Sequence, residues 1–114
     1  MVNEWIAEGN IISDVTLRHT KDSCRPVLNM MLCIDDHYRA KKNINKDYLV
    51  KKRLIKVPLV AWHYRATEIS SSIQKGDKVR VKAAIRTRIV KRDSGNYPTF
   101  EAVVEECILL NRKA

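Results

Sequence analysis

Gly76-Asp77-Lys78-Val79-Arg80-Val81-Lys82-Ala83-Ala84-Ile85-Arg86-Thr87-Arg88-Ile89-Val90-Lys91-Arg92 is the stretch that decides the fold class. Between Lys78 and Ile89, Val79, Val81, Ala83, Ile85, Thr87 and Ile89 alternate with Lys78, Arg80, Lys82, Ala84, Arg86 and Arg88. Side chains on a strand point to opposite faces with a period of two, so this is a strand with one apolar and one cationic face. The apolar face requires a core. The cationic face suits water or phosphate, which directs attention to polyanion binding rather than catalysis.

Working outward, Asp93-Ser94-Gly95-Asn96 reads as a hairpin turn, followed by a strand over Phe100–Leu110. That strand sets Ala102, Val104 and Glu106 opposite Val103 and Cys107. Upstream, Ala66, Ile69 and Ile73 share one face of a short helix over Tyr64–Gln74, and Lys75-Gly76 supplies a basic last turn and a stop. Leu54–Trp62 is a strand with Ile55, Val57, Leu59 and Ala61 on one face and Lys56 and Trp62 on the other. Val27–Ile34 turns Leu28, Met30, Leu32 and Ile34 to one side, and Trp5–Ile12 is a first strand bent or bulged at Gly9. Thr20–Arg25 is a polar turn. Residues 39–53 show no clean period and are expected to form a long loop or hairpin tip. Three strands, one short helix and two strands are the element order of an all-β, five-stranded OB barrel in one domain over 1–114.

Composition agrees with one soluble domain: 114 residues, 45% hydrophobic and 31% charged. No apolar run is long enough for a membrane span, and Met1–Ile6 lacks the pattern of a signal peptide. A cytoplasmic, nucleoid-associated location is therefore expected. The formal charge of +9 is uneven: residues 1–38 carry −3, 39–56 carry +7 and 57–114 carry +5. A localised excess steers polyanions better than a uniform one. Cys24, Cys33 and Cys107 form no Cys-x-x-Cys, and no His has metal-ligand spacing, so neither a zinc site nor a disulfide framework is expected. Cys33 and Cys107 fall in apolar strands and read as buried hydrophobes.

Single-stranded nucleic acid asks for cations that track phosphates and aromatic faces that stack bases. Trp62 shares a strand face with Lys56, Tyr38 stands at the mouth of the basic segment, Tyr48 lies within it, and Tyr97 and Phe100 flank the last hairpin. Trp62 and Tyr38 are the expected stacking residues, with Tyr48 as a further candidate, while Trp5 reads as core or interface. Arg86 and Arg88 are the favoured phosphate contacts. Arg80, Lys82, Lys91 and Arg92 extend that cationic strand, and Lys41, Lys42, Lys46, Lys51, Lys52 and Arg53 form an electrostatic funnel of interchangeable charges.

An enzyme is not expected. Asp35-Asp36 and Glu105-Glu106 are adjacent carboxylates that diverge on a strand. His19, His37 and His63 are scattered, and with three glycines there is no phosphate-cradling loop. No cofactor is implied.

The chain resembles the bacterial single-stranded DNA-binding protein family (SSB). The resemblance lies in Asn3–Ile11 with its Gly-Asn, Asn29–Cys33, Ala61–Glu68, Lys75–Val79 and Ile85–Arg88, in that order and across about residues 3–110. It implies an OB fold that oligomerises, as a tetramer or dimer, and coats single strands without sequence preference in replication, recombination or repair. It implies stacking at Trp62 and Tyr38. Lys56 stands where the family usually has a tryptophan, and Val90 where many members have another, so binding is expected to lean on charge and to be salt-sensitive. The chain ends Asn-Arg-Lys-Ala, so no acidic tail for recruiting replication proteins is expected. Short length and Pro58 are similar to the PriB primosomal relatives, dimers that bridge single-stranded DNA and replication-restart proteins. That reading is the first alternative; a protein-interaction adaptor without single-strand preference is the second. RNA is an alternative ligand with the same backbone charge.

Overall fold

The computed structural model describes residues 1–42 and 47–112, and the side chains of 1–35 and 53–112. The elements are β1 Trp5–Ile11, β2 Leu17–His19, β3 Pro26–Lys42, β4 Asp47–Trp62, α1 His63–Ser72, β5 Lys78–Arg92 and β6 Gly95–Asn111. They form one sheet in the order β1-β5-β6-β4-β3-β2, and β1 also pairs with β3. This last pairing, Asn10 opposite Cys33 and Ile11 opposite Leu32, closes β1, β3, β4, β5 and β6 into a barrel. β4 and β6 run parallel, and the other pairs are antiparallel. The expected five-stranded OB barrel is present, with β2 as a short sixth strand on the edge of β3.

The core follows from the alternation. Leu28, Met30 and Leu32 of β3, Leu59 and Ala61 of β4, Val79, Val81 and Ala83 of β5, and Ala102 and Val104 of β6 are buried together. Ala66, Ile69 and Ile73 join them from α1 and its C-cap, so the helix covers the barrel between β4 and β5. No linker separates β4 from α1. His63 takes a left-handed φ of 57°, and this single residue turns the extended chain at Trp62 directly into the helix.

Several boundaries differ from the sequence reading, each for a local reason. Residues 39–42 and 47–53 are not a loop but the arms of a hairpin, whose expected tip at 43–46 lies outside the described residues: the β3–β4 ladder continues from Val27 opposite Trp62 to Lys42 opposite Asp47. Among the described residues this part of the ladder pairs only with itself, so no third strand imposes an alternation on its sequence. The helix ends at Ser72, with Ile73 already extended, and it has no basic residue in its last turn. Gly76, at φ 96°, serves the following turn, where its N–H donates to Ile11 O at 2.6 Å. In β6 the register shifts opposite Lys82/Ala83, so Val104 faces Ala83, Glu106 faces Lys82 and Cys107 faces Val81. Glu106 is therefore exposed and Cys107 half-buried, reversing the phase expected beyond Val104. Ile89 lies past the barrel rim, where the β5–β6 hairpin projects, and is 57% exposed.

Candidate nucleic-acid interface

The strand registers assemble one outer face from four strands. Val27, Asn29 and Met31 of β3 stand opposite Trp62, Val60 and Pro58 of β4, with Cys33 opposite Lys56. Val60 stands beside Val103 of β6. Arg86, Arg88 and Val90 of β5 stand opposite Glu101, Thr99 and Tyr97 of β6. Trp62 is thus on one side of this face and Arg86 and Arg88 on the other, with Val60 of β4 and Val103, Glu101 and Thr99 of β6 between them. Trp62 is 36% exposed although it ends a strand whose neighbours Val60 and Ala61 are buried.

The turn after β2 forms a wall beside Trp62, because the pairing of Val27 with Trp62 puts Thr20–Arg25 next to the end of β4. This turn is internally braced. Thr20 Oγ1 accepts from Arg25 N at 3.0 Å, Asp22 Oδ1 accepts from Ser23 N at 2.9 Å, and Arg25 Nε donates to Ser23 Oγ at 2.8 Å. The backbone N–H groups of Asp22 and Ser23 hold the Asp22 carboxyl below its usual pKa. Across the groove, Arg65 in the first turn of α1 donates from Nε to the carbonyl of Glu105. Arg25 and Arg65 are therefore each held through one guanidinium nitrogen, Nε.

Of the cavities that open on this face, two border Trp62, and a smaller one of about 220 Å³ lies between Asn29, Pro58, Arg88 and Phe100. The first, of about 600 Å³, is lined by Arg25, Arg65, Arg86, His63, Tyr64 and Trp62 among others. The second, of about 830 Å³, is lined by Arg18, His19, Lys21, Asn29, Arg88 and Trp62 among others. Aromatic surface with several cations around it is the chemistry that holds single-stranded polynucleotide.

A model of the single-strand binding protein family matches residues 2–109. The chain belongs to that family. It is similar to a single-stranded DNA-binding protein of Caldanaerobacter subterraneus subsp. tengcongensis, 26% identical over all of this chain and 71% of that protein. The fold is similar to that of a small single-stranded DNA-binding protein from Streptomyces coelicolor, with a TM-score of 0.67 and 17% identity over 96% of this chain and 95% of that one. It is also similar to the Plasmodium falciparum SSB in complex with ssDNA, with a TM-score of 0.81 and 15% identity over 97% and 96% of the two chains.

Within this member of the family, the expected site residues separate into groups. Trp62, Arg86 and Arg88 come together at the two cavities. Lys56 and Arg53 are exposed farther along β4, and Lys91 and Arg92 are exposed near the tip of the β5–β6 hairpin. Arg80 and Lys82 are drawn elsewhere. Arg80 Nη2 lies 2.6 Å from Glu8 Oε2 and Lys82 Nζ 3.2 Å from Glu4 Oε1, so Glu8 on β1 and Glu4 just before it compensate both charges. Tyr38, Lys41, Lys42, Tyr48, Lys51 and Lys52 belong to the β3–β4 ribbon, and their side chains lie outside the described residues, as does Lys46 altogether. Trp5 packs against the core, as its place on β1 implied.

Sequence reasoning missed Arg18, Lys21, Arg25, Tyr64 and Arg65. The polar turn was visible as a turn, but only the β3–β4 register brings it to Trp62, 37 or more positions away in the chain. Tyr64 and Arg65 were visible as a helix start; their place in the cavity depends on the left-handed turn at His63.

Proposed function

We propose that this protein binds single-stranded DNA without sequence preference, through the face that carries Trp62, Arg86 and Arg88. The observation that carries the reading is the position of Trp62, an exposed indole among cations from separate elements, in a chain of this family. Trp62 stacks a base, while Arg86, Arg88, Arg25 and Arg18 neutralise phosphates. Lys56, Lys91, Arg92 and the cationic β3–β4 ribbon extend the electrostatic field along the strand, with Tyr38 as a second stacking residue. The activity is binding, not catalysis, and its setting is replication, recombination or repair in the cytoplasm.

Self-association belongs to the same reading. Ile6 on β1 and Ile108 on β6 are 59% and 43% exposed and flank Lys82 and Arg80 of β5 with their partners Glu4 and Glu8, a mixed apolar and charged surface that we assign to a second copy. Sedimentation equilibrium separates dimer from tetramer, and a monomer at working concentration removes this part of the proposal.

Tryptophan fluorescence tests the binding. In a Trp5→Phe background, dT oligomers are expected to quench the emission of Trp62 to saturation. Binding seen by anisotropy with unchanged Trp62 emission would place the strand elsewhere.

A further inference from the structure

Arg86 and Arg88 are two residues apart on one strand face, yet they serve different cavities. Arg86 lines the cavity that holds Arg25 and Arg65, and Arg88 lines the cavity that holds Arg18 and Lys21. Among the described residues, Thr20 and Trp62 alone border both. Each cavity carries three Lys or Arg against one carboxylate, Asp22 in the first and Glu101 in the second. Both volumes fall in the range of about 300–1,000 Å³ usual for small-molecule sites.

A one-sided stacking platform would use only one of the two cavities that Trp62 borders. A ring that borders two cavities offers aromatic surface to both. Alternate residues on a strand are roughly 7 Å apart, comparable to the separation of neighbouring phosphates on an extended polynucleotide.

We propose that Trp62 divides two consecutive base sites. The strand crosses the indole with one base in each cavity, and Arg86 and Arg88 hold adjacent phosphates. This rests on the single-strand binding reading above and adds that one dinucleotide step is opened at Trp62. It also gives roles to Arg18 and Arg25, on opposite sides of the divider.

Photo-crosslinking of the full chain to a dT oligomer carrying 5-iododeoxyuridine tests the division. Adducts are expected at His63 or Tyr64 in the first cavity and at His19 in the second. Arg25→Gln and Arg18→Gln are each expected to reduce the slope of log K against log salt by about 0.7, one phosphate's worth on a single strand. Adducts confined to one cavity, with only that cavity's variant changing the slope, would overturn the divider and leave a one-sided platform. Affinity for dT unaffected by Trp62→Ala would instead sink the underlying reading, and the divider with it.

Discussion

Gly9 passes against the carbonyl oxygen of Cys33 so closely that a Cβ on it would collide with that oxygen and lie 3.2 Å from Leu32 Cδ1. The contact sits where β1 crosses from β5 to β3 and closes the barrel. Gly9→Ala must push the two backbones apart, and overpacking of this kind costs about 1–3 kcal/mol. A lower urea midpoint with an unchanged m-value checks it; a variant as stable as the parent would mean that the closure tolerates a side chain.

Asp77 fastens Arg112, the residue that follows β6, to the barrel. Its side chain is 2% exposed and accepts from Arg112 Nη2 at 3.2 Å, Arg112 Nε at 3.3 Å and Gln74 N at 2.8 Å. The hydrogen bond from Arg112 lowers the carboxyl pKa from 3.8 against an opposing effect of burial, with the Gln74 N–H and the Arg112 charge adding to the lowering. A carboxyl whose folded pKa is depressed stabilises fully above its unfolded value and loses that contribution as pH falls through the folded value. The urea midpoint of the parent is therefore expected to drop more steeply than that of Asp77→Asn between about pH 5 and about pH 3. Parallel pH profiles would show that the pair contributes nothing.

The barrel was legible in the sequence because one face of each strand meets a core. Val79, Val81 and Ala83 alternate with charge for that reason, and the helix position followed from Ala66, Ile69 and Ile73. The β3–β4 ribbon was not legible: among the described residues it has no third strand beside it, so no neighbour writes a period into 39–42 and 47–53. The site was half legible. Trp62, Arg86 and Arg88 announce themselves by residue type on a strand face. Arg18, Arg25 and Arg65 reach the same place only through register and through the left-handed turn at His63. Arg80 and Lys82 are the converse case, since the partners that balance their charges, Glu8 and Glu4, are 72 or more positions away in the chain.

The two halves of the cationic strand should therefore differ in function. Arg86→Gln and Arg88→Gln are each expected to weaken single-strand binding at every salt concentration and to lower the salt slope by about 0.7. Arg80→Gln and Lys82→Gln are expected to leave slope and affinity nearly unchanged, because Glu8 and Glu4 already balance those charges. Equal losses from all four would mean that the whole strand tracks phosphates.

The cysteines differ as sharply. Burial, with the nearby charge of Asp77, pushes the Cys107 thiol up to about 11. The nucleophile is the thiolate, so Cys107 is expected to stay unmodified by a thiol reagent at neutral pH until the protein unfolds. Cys24, exposed in the turn beside the groove, is expected to react in the native state. Peptide mapping after brief alkylation reads both, and native labelling of Cys107 would show that the β5–β6 edge opens readily.

Fluorescence anisotropy with labelled dT oligomers, run across a salt series with duplex DNA as competitor and with Trp62→Ala in parallel, tests the central claim most directly. The expected result is preference for the single strand and a loss on Trp62→Ala of about 1–3 kcal/mol, roughly five- to 150-fold, at every salt concentration. Equal affinity for duplex and single strand, steeply lost with salt and indifferent to Trp62, would contradict it and leave a non-specific cationic surface in place of a base-stacking groove.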